Sequence, residues 1–132
     1  MDETGFTSEQ VDEAIDYVIQ NGACNNGSTT TYSLVFAAAG LAAPQELHNG
    51  GDSHVVSKFM EAFHHRCVGR GLPPLDALVV HVVGARKGQP GGGYFRINGL
   101  PDPFAQRTPP EQVVRAVHFW ENQKLSCANW GT

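Results

Sequence analysis

The chain has 132 residues, 41% of them hydrophobic, and a formal net charge of −4. That length supports one hydrophobic core rather than two, so a single domain over 1–132 is expected. No apolar run reaches the roughly 20 residues of a membrane helix, Met1-Asp2-Glu3-Thr4-Gly5 lacks the basic and apolar parts of a signal peptide, and Cys24, Cys67 and Cys127 cannot all pair within one chain. The expectation is a cytoplasmic protein with reduced thiols and no membrane partner.

Residues 1–6 read as a flexible N-terminus and 7–71 as a helical part. Thr7-Ser8-Glu9-Gln10 has the form of a capping box, and Val11, Ala14, Ile15, Val18 and Ile19 recur on one helical face. Asn21-Gly22 offers a left-handed residue to end that helix. After the polar loop Asn25 to Thr30, the stretch Thr31 to Gly40 predicts a short helix, apolar nearly all round and therefore buried.

Pro44 to Gly51 reads as loop, and Asp52 as the cap of a third helix over 53–68. Its stripe is Val55, Val56, Phe59, Met60, Phe63 and Cys67, and its opposite face carries Ser57, Lys58, Glu61, His65 and Arg66. Gly69-Arg70-Gly71 ends it.

Residues 72–99 then read as a β-hairpin. The dense run Leu75 to Val83, fenced by Pro73-Pro74, predicts a buried strand. The loop Gly84 to Gly93, with five glycines and a proline, predicts a long tip, and Tyr94-Phe95-Arg96-Ile97 the second strand. Asn98 to Phe104 is a connector. Thr108-Pro109-Pro110-Glu111 opens a last helix, so that 108–132 forms a C-terminal helix and tail. That helix is expected to bury Val113, Val114, Val117 and Trp120 or Phe119, with Trp130 closing the core.

The fold class expected from this order is α+β: three helices followed by a β-hairpin and a C-terminal helix, winged-helix-like. In such a unit the third helix enters the major groove and the hairpin touches the backbone.

Thr31 to Leu41, together with Val55 to Pro74, resembles the winged-helix part of the alkylguanine alkyltransferases and alkyltransferase-like proteins, which have a tyrosine-led short helix ending in glycine, a longer helix, and a Leu-Pro approach to a hairpin. The resemblance spans residues 29 to 98 and implies that fold and duplex binding. The family's reactive Pro-Cys-His-Arg element is replaced here by Leu78-Val79-Val80-His81, so alkyl transfer is not implied. The Leu-Pro-Pro-Leu, Leu-Val-Val and Pro-Gly-Gly-Gly-Tyr-Phe pattern also resembles small uncharacterised bacterial and phage proteins.

Charge locates the candidate site. Residues 2–16 hold six acids and no base, whereas Lys58 to Arg115 hold eight bases against four acids. Arg86, Lys87 and Arg96 flank the tip, where the amides of Gly91 and Gly92 suit a phosphate. The predicted site therefore joins Lys58, His65, Arg66 and Arg70 to Arg86, Lys87, Gly91, Gly92 and Arg96. The expected function is non-enzymatic binding of a phosphate-bearing ligand, nucleic acid or nucleotide. No cofactor motif is present; the glycine loop lacks the Gly-Lys-Ser/Thr ending of a P-loop.

Three other readings stand beside this one. A small interaction or inhibitor protein would dock a protein partner through its acidic first helix or tryptophan tail. A metal-dependent hydrolase would use His64, His65 and Cys67 with His48 and His54, although the spacing fits no standard zinc pattern. A thiol nucleophile would pair Cys127 with His118, or Cys24 with His54.

Overall fold

The computed structural model describes residues 6–25, 27–41, 53–81, 90, 92–101, 103 and 108–131. Within them the elements run α1 (Ser8–Val18), a π-helical turn (Ile19–Ala23), β1 (Thr30–Thr31), α2 (Tyr32–Ala38), α3 (Ser53–Gly69), a 3-10 turn (Leu75–Leu78), β2 (Val79–Val80), α4 (Gly92–Ile97) and α5 (Pro110–Trp130). This is a largely helical α+β arrangement. No helix among the described residues is long and apolar enough to cross a membrane.

The capping box forms as its residues dictate. Thr7 Oγ1 accepts from the Gln10 amide at 3.1 Å and Gln10 Oε1 accepts from the Thr7 amide at 3.0 Å. Val11, Ala14, Ile15 and Val18 then face inward. The end of α1 differs from expectation, because Gly22 is not left-handed. It lies buried in the π-helical turn, where a Cβ would come within 2.9 Å of the Leu78 side chain and 3.0 Å of the Ser28 carbonyl. Close backbone approach, rather than a positive φ, requires glycine there.

Thr31 caps α2, its hydroxyl accepting from the Leu34 amide at 3.3 Å. Tyr32, Val35 and Phe36 are buried, but Leu34 is 51% exposed, so α2 has an outer face despite its composition. Along α3, Phe59, Phe63 and Cys67 are buried and Val56 and Met60 partly so, as the stripe predicts. Phe36 and Phe59 meet at 4.7 Å between ring centroids, which joins α2 to α3.

The expected hairpin is not what the described residues form. Among the described residues of the apolar run only Val79–Val80 is strand, and its partner is β1, in parallel, with Thr30 opposite Val79 and Thr31 opposite Val80. Leu75–Leu78 instead makes a 3-10 turn in which all four residues are buried. A dense apolar run marks burial, and its periodicity does not separate strand from helix.

The second expected strand, Tyr94-Phe95-Arg96-Ile97, is helical. A strand would send Tyr94 and Phe95 to opposite faces; in α4 they lie about 100° apart and both enter the interior. Tertiary packing against α3 and α5 thus overrides the strand propensity of these side chains. Three helices precede the apolar run in the expected order, but residues 94–97 are helix and not the second strand of a wing, and Gly92-Gly93, expected at the end of the tip, already belong to α4; 84–89 and 91 of the expected tip lie outside the described residues.

Two apolar clusters share the chain segment 75–80. One gathers α1, α2 and α3 around Leu75, Leu78 and Val79. The other packs Ala77 and Val80 against Tyr94, Phe95, Ala116 and Trp120. Trp120 Nε1 donates to the Ala77 carbonyl at 2.9 Å, fixing α5 on the 3-10 turn. The C-terminal end of α5 rests on the π-helical turn, where any Cβ at Gly131 would overlap the backbone of Ala23. Two further expectations are corrected: Val114 is 67% exposed, and Trp130, within the helix rather than closing the core, is 46% exposed.

Candidate functional site

Of the residues predicted to hold a phosphate, those on and after α3 are mostly engaged within the protein. Arg66 donates from Nε and Nη2 to the two oxygens of Asp12 at 2.9 and 3.0 Å, and Arg70 Nη1 reaches Asp12 Oδ1 at 3.2 Å. Chiefly through the Arg66 hydrogen bond, Asp12 is held below the usual carboxylate range. His65 lies 4.0 Å from Glu61, one turn away. Lys58 is exposed and makes no ion pair among the described residues.

The remaining predicted residues fall elsewhere. Arg86, Lys87 and Gly91 lie outside the described residues. Gly92 begins α4, and Arg96 is exposed in its last turn. The predicted site is therefore divided: Arg66 and Arg70 converge on Asp12, and Arg96 stands on a different helix.

His64, whose neighbours suggested a metal site, makes one strong contact. Its Nδ1 lies 3.1 Å from Asp76 Oδ2, and that hydrogen bond raises the histidine pKa. Asp76 is 4% exposed, and its other oxygen makes no hydrogen bond to the described residues. Cys67 belongs to the core. Among the described residues no three His, Cys, Asp or Glu side chains gather where they could hold a metal ion; His48 and the side chain of His54 lie outside them.

The thiols also lack the form of a nucleophile. Burial pushes both Cys67 and Cys127 up to about 12, so each is neutral near pH 7. Cys127 Sγ lies 3.2 Å from the Pro74 carbonyl, to which it donates. Cys24 is exposed, with no histidine contact among the described residues.

A groove of about 430 Å³ lies between the turn after α4 and the middle of α5. One wall is Asn98-Gly99-Leu100 and the other is the row Arg115, His118, Phe119 and Asn122. These four recur at helical spacing, so α5 presents them together. Arg115 and His118 are exposed and make no ion pair among the described residues.

Tyr94 supports both walls. Its ring centroid is 6.4 Å from that of Phe119, and its carbonyl accepts from Asn98 Nδ2 at 2.8 Å. Gly99, at φ +75°, makes the turn that follows and has open space where a Cβ would be. The groove thus combines an arginine, a histidine, two amides and one aromatic ring.

The sequence does carry a signal for this site. Arg115, His118 and Asn122 form the polar counterpart of the α5 apolar stripe, but the sequence leaves the core place open between Trp120 and Phe119 and offers His118 to a thiol pair. Compared with protein-family models, curated proteins and solved structures, the chain shows no match.

Proposed function

We propose that this protein is a non-enzymatic binder of a phosphate-bearing ligand, held in the α4–α5 groove by Arg115 and His118. The observation that carries this reading is the pairing of two exposed, uncommitted nitrogen donors one turn apart with amides on both walls. A guanidinium binds phosphate oxygens with charge-assisted hydrogen bonds, and an imidazole N–H and the amides add further donors. The α3 face supports it less well, since Asp12 occupies Arg66 and Arg70 and Glu61 lies beside His65.

A duplex-binding form of the reading, with α3 as the recognition helix of a winged-helix-like unit, rests on the order of α1, α2 and α3. Its weakness is electrostatic. The exposed acids Glu9, Glu13 and Asp16 lie on α1, which packs on α3, and they repel a phosphate backbone.

Isothermal calorimetry with pyrophosphate tests the proposal. Arg115→Ala is expected to weaken binding about tenfold, the loss of one charge-assisted contact, while Lys58→Ala leaves it unchanged. A loss in Lys58→Ala with none in Arg115→Ala would return the site to α3, and no binding by the unaltered protein would remove the function.

A second reading has its own observation. Val114 and Leu125, eleven residues apart and therefore on one face of α5, are 67% and 60% exposed and offer apolar area to a protein partner. Salt separates the two: phosphate binding weakens as salt rises, and an apolar interface changes little.

A further inference from the structure

Resting on the phosphate-binding reading of the α4–α5 groove, a finer identity for the ligand follows from the residues beside Arg115 and His118. Arg115 and Phe119 are four residues apart on α5, so an anion site and an aromatic surface are offset by about 6 Å along one helix. That offset places a charged group and a ring at opposite ends of one small ligand. The groove, about 430 Å³ and open to solvent along one side, has room for one small ligand lying along it.

The aromatic surface is fixed in advance. Phe119 is only partly buried, yet it is packed against the cluster that contains Tyr94 and Phe95, whose own rings meet at 5.0 Å. A ring held this way loses little freedom when a second ring stacks on it.

The amides distinguish among rings. Asn98 Nδ2 is already donating to the Tyr94 carbonyl, which leaves Oδ1 as an acceptor. Asn122, exposed on the opposite wall, brings both a donor and an acceptor. A heteroaromatic ring with donors and acceptors on its edge uses these groups, and a plain phenyl ring does not.

We propose that the groove takes one nucleoside monophosphate unit, its phosphate at Arg115 and His118 and its base against Phe119 between the two asparagine amides. The unit is either a free mononucleotide or one nucleotide of a single strand, for the chemistry recognised is the same.

The test compares affinities of inorganic phosphate, phenyl phosphate and adenosine monophosphate by calorimetry. Adenosine monophosphate is expected to bind about tenfold more tightly than phosphate, the effect of one stacked base. Phe119→Leu should abolish that gain while leaving phosphate affinity intact, which also shows that the variant is folded. Asn122→Ala, an exposed change, should weaken the nucleotide and spare phenyl phosphate.

Phosphate binding with no gain for the nucleotide, or equal binding of phenyl phosphate, would overturn the nucleotide assignment and leave the phosphate reading standing. Failure of phosphate and nucleotide alike would overturn both. A six-nucleotide single strand that binds more tightly than the monophosphate at low salt identifies a strand as the source, and a weaker one identifies the free nucleotide.

Discussion

Arg66 of α3 grips Asp12 of α1 through two near-parallel hydrogen bonds of 2.9 and 3.0 Å, and this pair joins residues 54 positions apart in sequence. It also explains why a run of basic residues need not make a basic surface. A double-mutant cycle on Asp12 and Arg66 should show favourable coupling that shrinks in about 1 M salt, because both partners are solvent-accessible. Asp12 has a depressed pKa, so its contribution is present above its unfolded value of 3.8 and is lost as pH falls through the folded value. Coupling measured by urea denaturation that persists unchanged in high salt would contradict this.

His64 titrates in the opposite sense. Its hydrogen bond to Asp76 raises its pKa above 6.5, so the stability it adds is fully present below 6.5 and is lost as pH rises through the folded value. The difference in urea midpoint between the native protein and His64→Gln should be larger at about pH 5.5 than at about pH 8.5. An equal difference at both would show that the pair does not respond to protonation.

Trp120→Phe removes the donor to the Ala77 carbonyl while keeping most of the ring. The carbonyl is then left in the interior without that bond, which costs about 1–3 kcal/mol. Chemical denaturation measures it, and a loss below about 0.5 kcal/mol would mean that α5 is fixed mainly by its apolar contacts.

Phe59→Ala should be far more damaging. Phe59 is fully buried and touches Phe36 and Phe6, so the cavity left behind costs about 3–5 kcal/mol. For a domain of this size that is a large part of total stability, and thermal melting should show a major drop or no transition.

The thiols give a chemical check on the same packing. Cys24 is exposed, whereas Cys67 and Cys127 are buried and pushed up to about 12. A thiol reagent at neutral pH should label Cys24 rapidly in the folded protein and reach the other two after denaturant is added. Rapid labelling of all three would contradict the buried placement.

What was legible in the sequence was whatever local chemistry decides. Thr7 and Gln10 specify their reciprocal cap, and the spacing of Phe59, Phe63 and Cys67 specifies the inner face of α3. Partners distant in the chain were not legible. Val79 and Val80 are apolar enough for any buried element, and nothing local says that their partner is Thr30–Thr31 rather than Tyr94–Ile97. Tyr94 and Phe95 look like strand residues because aromatic side chains favour sheets, yet their burial between α3 and α5 decides for helix.

The candidate site shows the same division. Lys58, Arg66 and Arg70 were visible as charges, but the acid that engages two of them lies on another helix. Arg115, His118 and Asn122 were visible as a periodic row, but only the turn at Asn98-Gly99-Leu100 makes that row one wall of a groove. Arg86 and Lys87 lie outside the described residues.

The central claim is that a phosphate group sits between α4 and α5, and the most direct measurement is a titration of isotopically labelled protein with pyrophosphate followed by backbone amide chemical shifts. The predicted result is saturable shifts centred on Asn98 to Leu100 and Arg115 to Asn122, which in Arg115→Ala need about tenfold more pyrophosphate. Shifts centred instead on Lys58 to Arg70, or none above the general effect of ionic strength, would contradict it.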